Sequence, residues 1–227
     1  FETAVCPSRN YCSPRQPGRT VPRLSAIGHL RAGEVVLCHG EQGLGDEILF
    51  AGLLKEFVAA VQAQSAMVVF DPNPRLAGVF GRSFTDLPII SHGGQDQAGV
   101  IQLSQPVDWV VPIGDLGGFH RNETADFSEH SGYLRCDPAA VAALRHRLRA
   151  EADGLPLVGL AWTGGSPYTH SAERRIPLDM WHSVLRQPVR FVSLEYRDAD
   201  AEITAAAAAH GVSLVHLPDI TQAHDYE

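Results

Sequence analysis

A glycine-rich turn between a short apolar run and a helical pattern constrains the fold of this chain most strongly. Residues 35–39 form the apolar run, residues 40–46 read Gly-Glu-Gln-Gly-Leu-Gly-Asp, and residues 46–64 carry apolar side chains at helical spacing. The elements predicted next are a strand at 67–70, a short helix at 75–80, a strand at 86–90 and a strand at 107–113. This alternation is typical of a parallel sheet with helices packed on its faces.

A second strand and helix series follows a proline-initiated helix. Asp137-Pro138 places a capping side chain before a proline, which predicts a helix running to about residue 152. Strands are then predicted at 157–162, 190–194 and 213–217, with helices at 177–186 and 198–210. Three parallel strands make a narrow sheet with an open edge, so this half looks incomplete. The predicted division is a linker or strap at 1–33, a first α/β domain at 34–153, and the start of a second at 154–227.

Composition excludes several classes of protein. The 227 residues carry a net charge of −8, which argues against a nucleic-acid-binding protein that relies on a basic surface. No apolar run is long enough to predict a membrane span, and no secretory signal is recognisable near the start. The cysteines at 6, 12, 38 and 136 form no zinc or CxxC pattern, and the spacing favours reduced thiols in a cytoplasmic protein.

The glycine-rich turn is the first candidate site. Gly43, Gly45 and Glu41 lie where a parallel strand ends and a helix begins, a position at which α/β sheets bind ligands. The turn matches neither a dinucleotide fingerprint nor a Walker A loop, and this disfavours an oxidoreductase. Asp46 has two interpretations: it caps the helix, or it acts as a general base toward an acceptor hydroxyl.

Two further candidates follow strands of the second half. Residues 163–166 are small and rich in hydrogen-bond donors, and an arginine pair follows them, which together suit phosphate. The alternative is a solvated loop with surface arginines. Glu195 follows the next strand and either hydrogen-bonds a ribose or base, or caps the following helix. The candidate phosphate-binding residues are Thr163, Gly164, Gly165, Ser166, Arg174 and Arg175.

The eleven histidines do not predict a metal site. None stands in an HxH, HxxxH or HExxH arrangement, and no DxD occurs. His120 and His130 lie in a loop-rich stretch where either side chain is free to face a cleft, although a histidine in solvent or with a satisfied hydrogen bond is the more ordinary outcome. The sequence therefore predicts no metal and no bound cofactor.

Six segments, taken in order, resemble one bacterial group. They are GEQGLGDEILFA at 40–51, VPIGDLGGF at 111–119, GYLRCDP at 132–138, VGLAWTGGS at 158–166, RRIPLDMW at 174–181 and FVSLEY at 191–196. Together they resemble the glycosyltransferase-like region found behind tetratricopeptide repeats. That group is similar to the heptosyltransferases of glycosyltransferase family 9 and, more distantly, to O-linked N-acetylglucosamine transferases.

The resemblance implies a GT-B-like α/β fold, with a Rossmann-like domain for the acceptor and an incomplete second Rossmann-like domain for a nucleotide sugar. It implies metal-independent transfer of a sugar to a hydroxyl group on a glycan or protein. Gly45-Asp46 matches the Gly-Asp pair that supplies the base, and Thr163 to Ser166 with Arg174 or Arg175 correspond more loosely to the donor phosphate site. Contact with upstream repeats or a second copy is also expected.

Two departures from the group favour a rival function. The group continues with a helix that receives the pyrophosphate, and no such segment precedes Glu227; the upstream repeats are not visible either. A fragment of this kind is expected to have an incomplete donor pocket. The alternative is therefore a non-catalytic binding or scaffolding module that keeps the Rossmann-like fold.

Overall fold

The computed structural model describes residues 15–16, 19–40, 43–90, 106–127, 132–165 and 173–223. Contacts divide the chain into two compact units, one within residues 1–136 and the other within residues 137–226. Each unit is an α/β structure that contains a three-stranded parallel sheet. The predicted α/β class with parallel sheets is thus confirmed.

The first unit alternates strands and helices in the predicted order. Two antiparallel strands of two residues each precede this series. Its elements are connected by 3-10 turns at Ile27–His29, Pro74–Leu76, Ile113–Asp115 and Thr124–Asp126. The strands and helices are β1 Arg15–Gln16, β2 Arg19–Thr20, β3 Val35–His39, α1 Leu44–Ala51, α2 Leu54–Gln62, β4 Met67–Asp71, α3 Ala77–Ser83, β5 Trp109–Pro112 and α4 Leu116–His120.

Strand β3 lies at the centre of the first sheet, between β4 and β5. All five of its residues are buried, as expected for a parallel strand covered on both faces. Successive strands therefore lie on opposite sides of β3, and the carboxyl ends of β3 and β5 mark the point where the strand order reverses. In open α/β sheets such a point is where ligands commonly bind.

Both outer strands of this sheet have one additional bridge. Arg23 pairs in parallel with Val110 of β5, and Ile89 pairs in parallel with Phe70 of β4. The strand predicted at 86–90 is therefore reduced to a single bridge. Part of the predicted strap, around Arg23, adds to the opposite edge, and both contacts satisfy backbone groups that an open edge leaves unpaired.

The helix predicted at 46–64 is two helices instead. The hydroxyl of Tyr133 donates to the carbonyl oxygen of Ile48, the group that an unbroken helix would pair with the amide of Gly52. The amide of Gly52 bonds to the Phe50 carbonyl oxygen instead. A side chain distant in sequence thus interrupts the helix at a glycine, where helix propensity is already low.

The second unit also follows the predicted alternation, with shorter elements. A 3-10 turn spans Leu178–Trp181. The elements are α5 Pro138–Ala152, β6 Leu157–Leu160, α6 His182–Leu185, β7 Arg190–Ser193, α7 Asp200–His210, β8 Leu214–Val215 and α8 Pro218–Thr221. The sheet order is β6-β7-β8, all parallel.

Helix α5 groups with the second unit. Its Leu144 and Leu148 pack against a buried cluster that includes Val192 and Val215 of the sheet. The contact boundary accordingly falls before this helix, at Asp137, rather than after it. Over the part of the chain that the structure describes, no helix has the length and apolar character needed to cross a bilayer.

Candidate functional site

The turn after β3 presents Asp46 in the first turn of α1. Gly43 is the N-cap residue, and its amide donates to Asp46 Oδ2 at 3.1 Å. Asp46 is only half-buried, and Gly45 beside it is exposed. The structure therefore places Asp46 in a capping contact while leaving part of the side chain open to solvent. Glu41 lies outside the described residues.

The neighbouring Glu47, which sequence reasoning did not single out, is the fully buried acid of this turn. Its Oε2 accepts a hydrogen bond from the amide of Asn73, just beyond β4, at 2.8 Å. Its carboxyl group also fills the space beside Gly40, where an added Cβ would overlap it. Glu47 therefore fixes the loops that follow two adjacent strands.

His39 is the last residue of β3 and directly precedes the same turn. The side chain is buried, and Nδ1 lies 3.1 Å from the carbonyl oxygen of Gly40. Burial lowers the pKa of His39 below its ordinary 6.5, and this effect outweighs the hydrogen bond with the Gly40 backbone and the opposing field of Asp71 and Asp115. The neutral form is thus favoured in the folded protein.

In the second unit, Glu195 organises the loop that begins at Trp162. The amides of Trp162 and Thr163 donate to Glu195 Oε1 at 2.8 and 2.9 Å, and the hydroxyl of Thr163 donates to Oε2 at 2.5 Å. Only 1% of Glu195 is exposed. In this structure its carboxylate holds the loop at the carboxyl end of β6, a role that neither sequence interpretation included.

Arg197 joins this network and was missed from the sequence. Its Nε donates to Thr163 Oγ1 at 3.1 Å, and its Nη2 lies 3.2 Å from Glu195 Oε2. The side chain remains 42% exposed. A basic residue two positions after Glu195 was the available signal, but only the fold shows that it lies beside Thr163.

The glycines of the loop leave room for a ligand. An added Cβ at Gly164 would meet no atom within 4 Å, and Gly165 adopts φ +81°, a conformation that favours glycine. Thr163, Gly164, Gly165, Glu195 and Arg197 therefore lie at one edge of the sheet. Trp162 is buried in the core of the second unit.

The predicted arginine pair is not part of this group in the contacts observed. Arg174 is exposed, and Arg175 Nη2 bonds to Glu202 Oε2 of α7 at 3.0 Å. Glu202 also accepts a hydrogen bond from the amide of Leu178. Arg175 thus helps to join the 3-10 turn at Leu178 to α7. Ser166 lies outside the described residues.

The histidines show no metal-binding arrangement in the described parts of the chain. Those parts contain no group of three or more His, Cys, Asp or Glu side chains placed to hold an ion. His120 is half-buried against the rings of Phe57 and Phe119, and burial lowers its pKa. His130 lies outside the described residues.

Comparison with known proteins gives one similarity to report. Over 206 residues the chain is 30% identical to Protein FlbA of Caulobacter vibrioides (strain ATCC 19089 / CIP 103742 / CB 15). The aligned region covers 87% of this chain but only 34% of that protein, so the chain spans about a third of its relative. No protein-family description matches the chain, and no solved structure matches it.

These findings correct the family assignment made from the six motifs. The detected relative is Protein FlbA, a name that describes no glycosyltransferase, and no glycosyltransferase family matches. The assignment to the repeat-associated glycosyltransferase-like group is therefore wrong. Strand, glycine turn and helix blocks recur wherever an α/β unit needs a tight turn, so their resemblance reflects the backbone more than the family.

Proposed function

We propose that the second unit binds the diphosphate group of a nucleotide sugar at the edge formed by Thr163, Gly164, Gly165 and Arg197. The observation that carries this proposal is the half-exposed guanidinium of Arg197, held beside an open glycine loop by the buried Glu195. Arginine and free backbone amides are the groups that proteins most often use for phosphate oxygens. The Thr163 hydroxyl lies within the same network.

The reaction proposed for this ligand is transfer of the sugar to a hydroxyl group on a glycan or protein. Negative charge develops on the leaving diphosphate, and a fixed guanidinium stabilises such charge without a metal ion. Asp46 of the first unit is the candidate base for the acceptor hydroxyl. These roles are proposed from the residues themselves and not from membership of a family.

The second candidate function is binding without catalysis. The capping contact between Gly43 and Asp46 favours it, because one carboxylate oxygen is already engaged by a backbone amide. Both candidates share the phosphate site and differ at Asp46.

Calorimetric titration of the whole chain with UDP, GDP, CDP and ADP tests the shared site. We expect one nucleotide to bind, and Arg197→Ala to weaken that binding about tenfold or more, equivalent to about 1.4 kcal/mol. Arg186→Ala is the matched control, since Arg186 is an exposed arginine of the same unit. Equal affinity for the Arg197→Ala protein, or no nucleotide binding by a folded chain, would contradict the proposal.

Release of nucleoside diphosphate from a nucleotide sugar in the presence of acceptor separates the two functions. For the transferase, Asp46→Asn should lower the rate by about 100-fold or more while nucleotide affinity stays constant. Asp126→Asn is the control, because Asp126 likewise accepts amide hydrogen bonds at the start of a helical turn. If Asp46→Asn and Asp126→Asn have the same small effect, Asp46 serves only as a cap.

A further inference from the structure

A cleft of the first unit is lined by residues that take no part in the proposed phosphate site or in the turn around Asp46. Leu24 donates its amide to the Val110 carbonyl oxygen at 3.0 Å, and the amide of Val110 donates to Pro22 at 2.9 Å. Beyond this parallel pairing, the strap lies beside the turn that follows β5. The space between them is a cleft of about 510 Å³, within the size range of small-molecule sites.

The polar groups of the cleft carry balanced charge. Arg23 donates through Nε to Asp115 Oδ2 at 2.6 Å and through Nη2 to Oδ1, so both carboxylate oxygens are engaged. The Arg23 side chain is nevertheless 55% exposed and that of Asp115 27% exposed. A guanidinium and a carboxylate thus face the cleft side by side, and Ser25 also lines it.

This pairing discriminates among ligand classes. A phosphate or carboxylate ligand attracted to Arg23 would be repelled by Asp115, whose side chain is 27% exposed, and an ammonium group would meet the opposite difficulty. The Glu195 carboxylate beside Arg197 differs, because it is buried and already accepts two amides and a hydroxyl. A neutral ligand with many hydroxyl groups has neither problem, because each hydroxyl can donate to Asp115 or accept from Arg23. Each carboxylate oxygen has lone pairs beyond the one that Arg23 uses.

The remaining wall of the cleft suits the apolar face of a ring. Phe119 contributes a half-buried aromatic ring, and Leu24 is a buried apolar residue. At Gly118, an added Cβ would meet no atom within 4 Å, so the backbone is open to a ligand. The ring of Phe119 offers a surface for the C–H groups of a ligand, and the charged groups of Arg23 and Asp115 offer another for its hydroxyls.

We propose that this cleft binds a neutral, polyhydroxylated six-membered ring, a monosaccharide unit, with the Arg23–Asp115 pair contacting hydroxyls and Phe119 contacting the ring face. The proposal concerns residues of the first unit only. It does not depend on the phosphate site at Thr163 and Arg197, so either site can fail without the other.

Titration of the whole chain with methyl β-glucoside, methyl β-galactoside and N-acetylglucosamine, followed by ligand-observed NMR, tests the cleft. We expect at least one probe to bind. Gly118→Leu, which fills the cleft, should weaken that probe tenfold or more. Gly117→Leu is the matched control, because the adjacent glycine in α4 is also uncrowded but does not line the cleft. Thermal unfolding confirms that both variants fold.

A second variant guards against a folding defect in Gly118→Leu. Asp115→Asn keeps the size of the side chain and removes its charge, so it should weaken the sugar and allow inorganic phosphate to bind beside Arg23. The proposal is overturned if no sugar probe binds the folded chain. It is equally overturned if sugar affinity is the same in the Gly118→Leu and Gly117→Leu proteins, or if phosphate binds the unaltered cleft in preference to the sugars.

Discussion

Two buried glutamates fix loops at the carboxyl ends of strands, one in each unit. Glu47 accepts the amide of Asn73 and fills the space beside Gly40, while Glu195 accepts two amides and a hydroxyl from the Trp162–Thr163 segment. A buried carboxylate is unfavourable unless several donors surround it. Each of these acids therefore stabilises its unit and, through the same hydrogen bonds, holds the loop of its candidate site in place.

Gly40 has no room for a side chain, which makes it a direct test of the contact with Glu47. We expect Gly40→Ala to lower the free energy of unfolding by about 1–3 kcal/mol, the usual cost of overpacking a filled site. Gly45→Ala provides the comparison, because Gly45 is exposed and uncrowded. Urea unfolding measures both, and equal stability of the two variants would show that the carboxyl group moves aside freely.

Glu195→Gln tests the second buried acid. The amide replaces one acceptor oxygen with a donor that faces other donors, which should cost about 1–3 kcal/mol of stability. The same variant should weaken nucleotide binding, because the Thr163 loop loses its support. Glu151→Gln in the exposed part of α5 is the control. A Glu195→Gln protein that unfolds at the same urea concentration as the unaltered chain would contradict this role.

His39 should make stability depend on pH. Its pKa is lowered by burial in the folded state and is about 6.5 in an unfolded chain, so the unfolded chain binds protons first as pH falls. The contribution of His39 is therefore complete above pH 6.5 and is lost on acidification below that value. The half-buried His120 acts in the same direction.

Urea unfolding between pH 7.5 and 5.5 measures this dependence. His39→Gln should flatten the loss of stability with falling pH, because it removes a group that titrates differently in the two states. His146→Gln, at an exposed position of α5, should leave the dependence unchanged. An identical pH dependence in the His39→Gln and unaltered proteins would exclude His39 as its source.

Among the secondary-structure elements, helix α5 begins and ends where the capping residues in the sequence predict. Asp137 Oδ1 accepts hydrogen bonds from the amides of Ala139 and Ala140, and Pro138 occupies the first helical turn. The helix ends at Asp153, which adopts a left-handed conformation and is followed by Gly154. These features depend on neighbours in sequence, which is why they were predictable.

Asp137→Ala should lower the stability of the second unit by about 1 kcal/mol, the typical value of a helix cap. Asp137→Ser should retain most of that stability, since serine is also a good capping residue. Thermal unfolding of the three proteins provides the measurement. Equal melting temperatures for the alanine and serine variants would indicate that packing of Leu144 and Leu148, and not the cap, determines where α5 begins.

Other elements depend on residues far away in sequence. The break between α1 and α2 requires Tyr133, and burial raises the pKa of that phenol to about 12. The strand expected at 86–90 contributes a single bridge, between Ile89 and Phe70. Periodicity identified where apolar segments occur, but it carries no information about which distant side chain competes for a carbonyl group.

For the whole molecule, features set by neighbours in sequence were again predictable, and features set by distant residues were not. The α/β class and the parallel order of strands follow from apolar runs and glycine turns. The hydrogen bonds that join Thr163, Glu195 and Arg197 do not follow from these patterns, because they connect the loop after β6 with the loop after β7. The family assignment was wrong for a related reason, since motifs built around backbone turns describe a fold better than a lineage.

Amide spectra recorded during a nucleotide titration test most directly whether the edge around Thr163, Gly164, Gly165 and Arg197 binds a diphosphate. In a ¹⁵N-labelled chain, we expect a bound nucleoside diphosphate to shift the backbone amide signals of Gly164 and Gly165 and the side-chain Nε–H signal of Arg197. In Arg197→Ala, the shifts of Gly164 and Gly165 should need about tenfold more nucleotide, or more, to reach saturation. Unchanged signals at these three positions, while the nucleotide binds elsewhere or not at all, would contradict diphosphate binding at this edge.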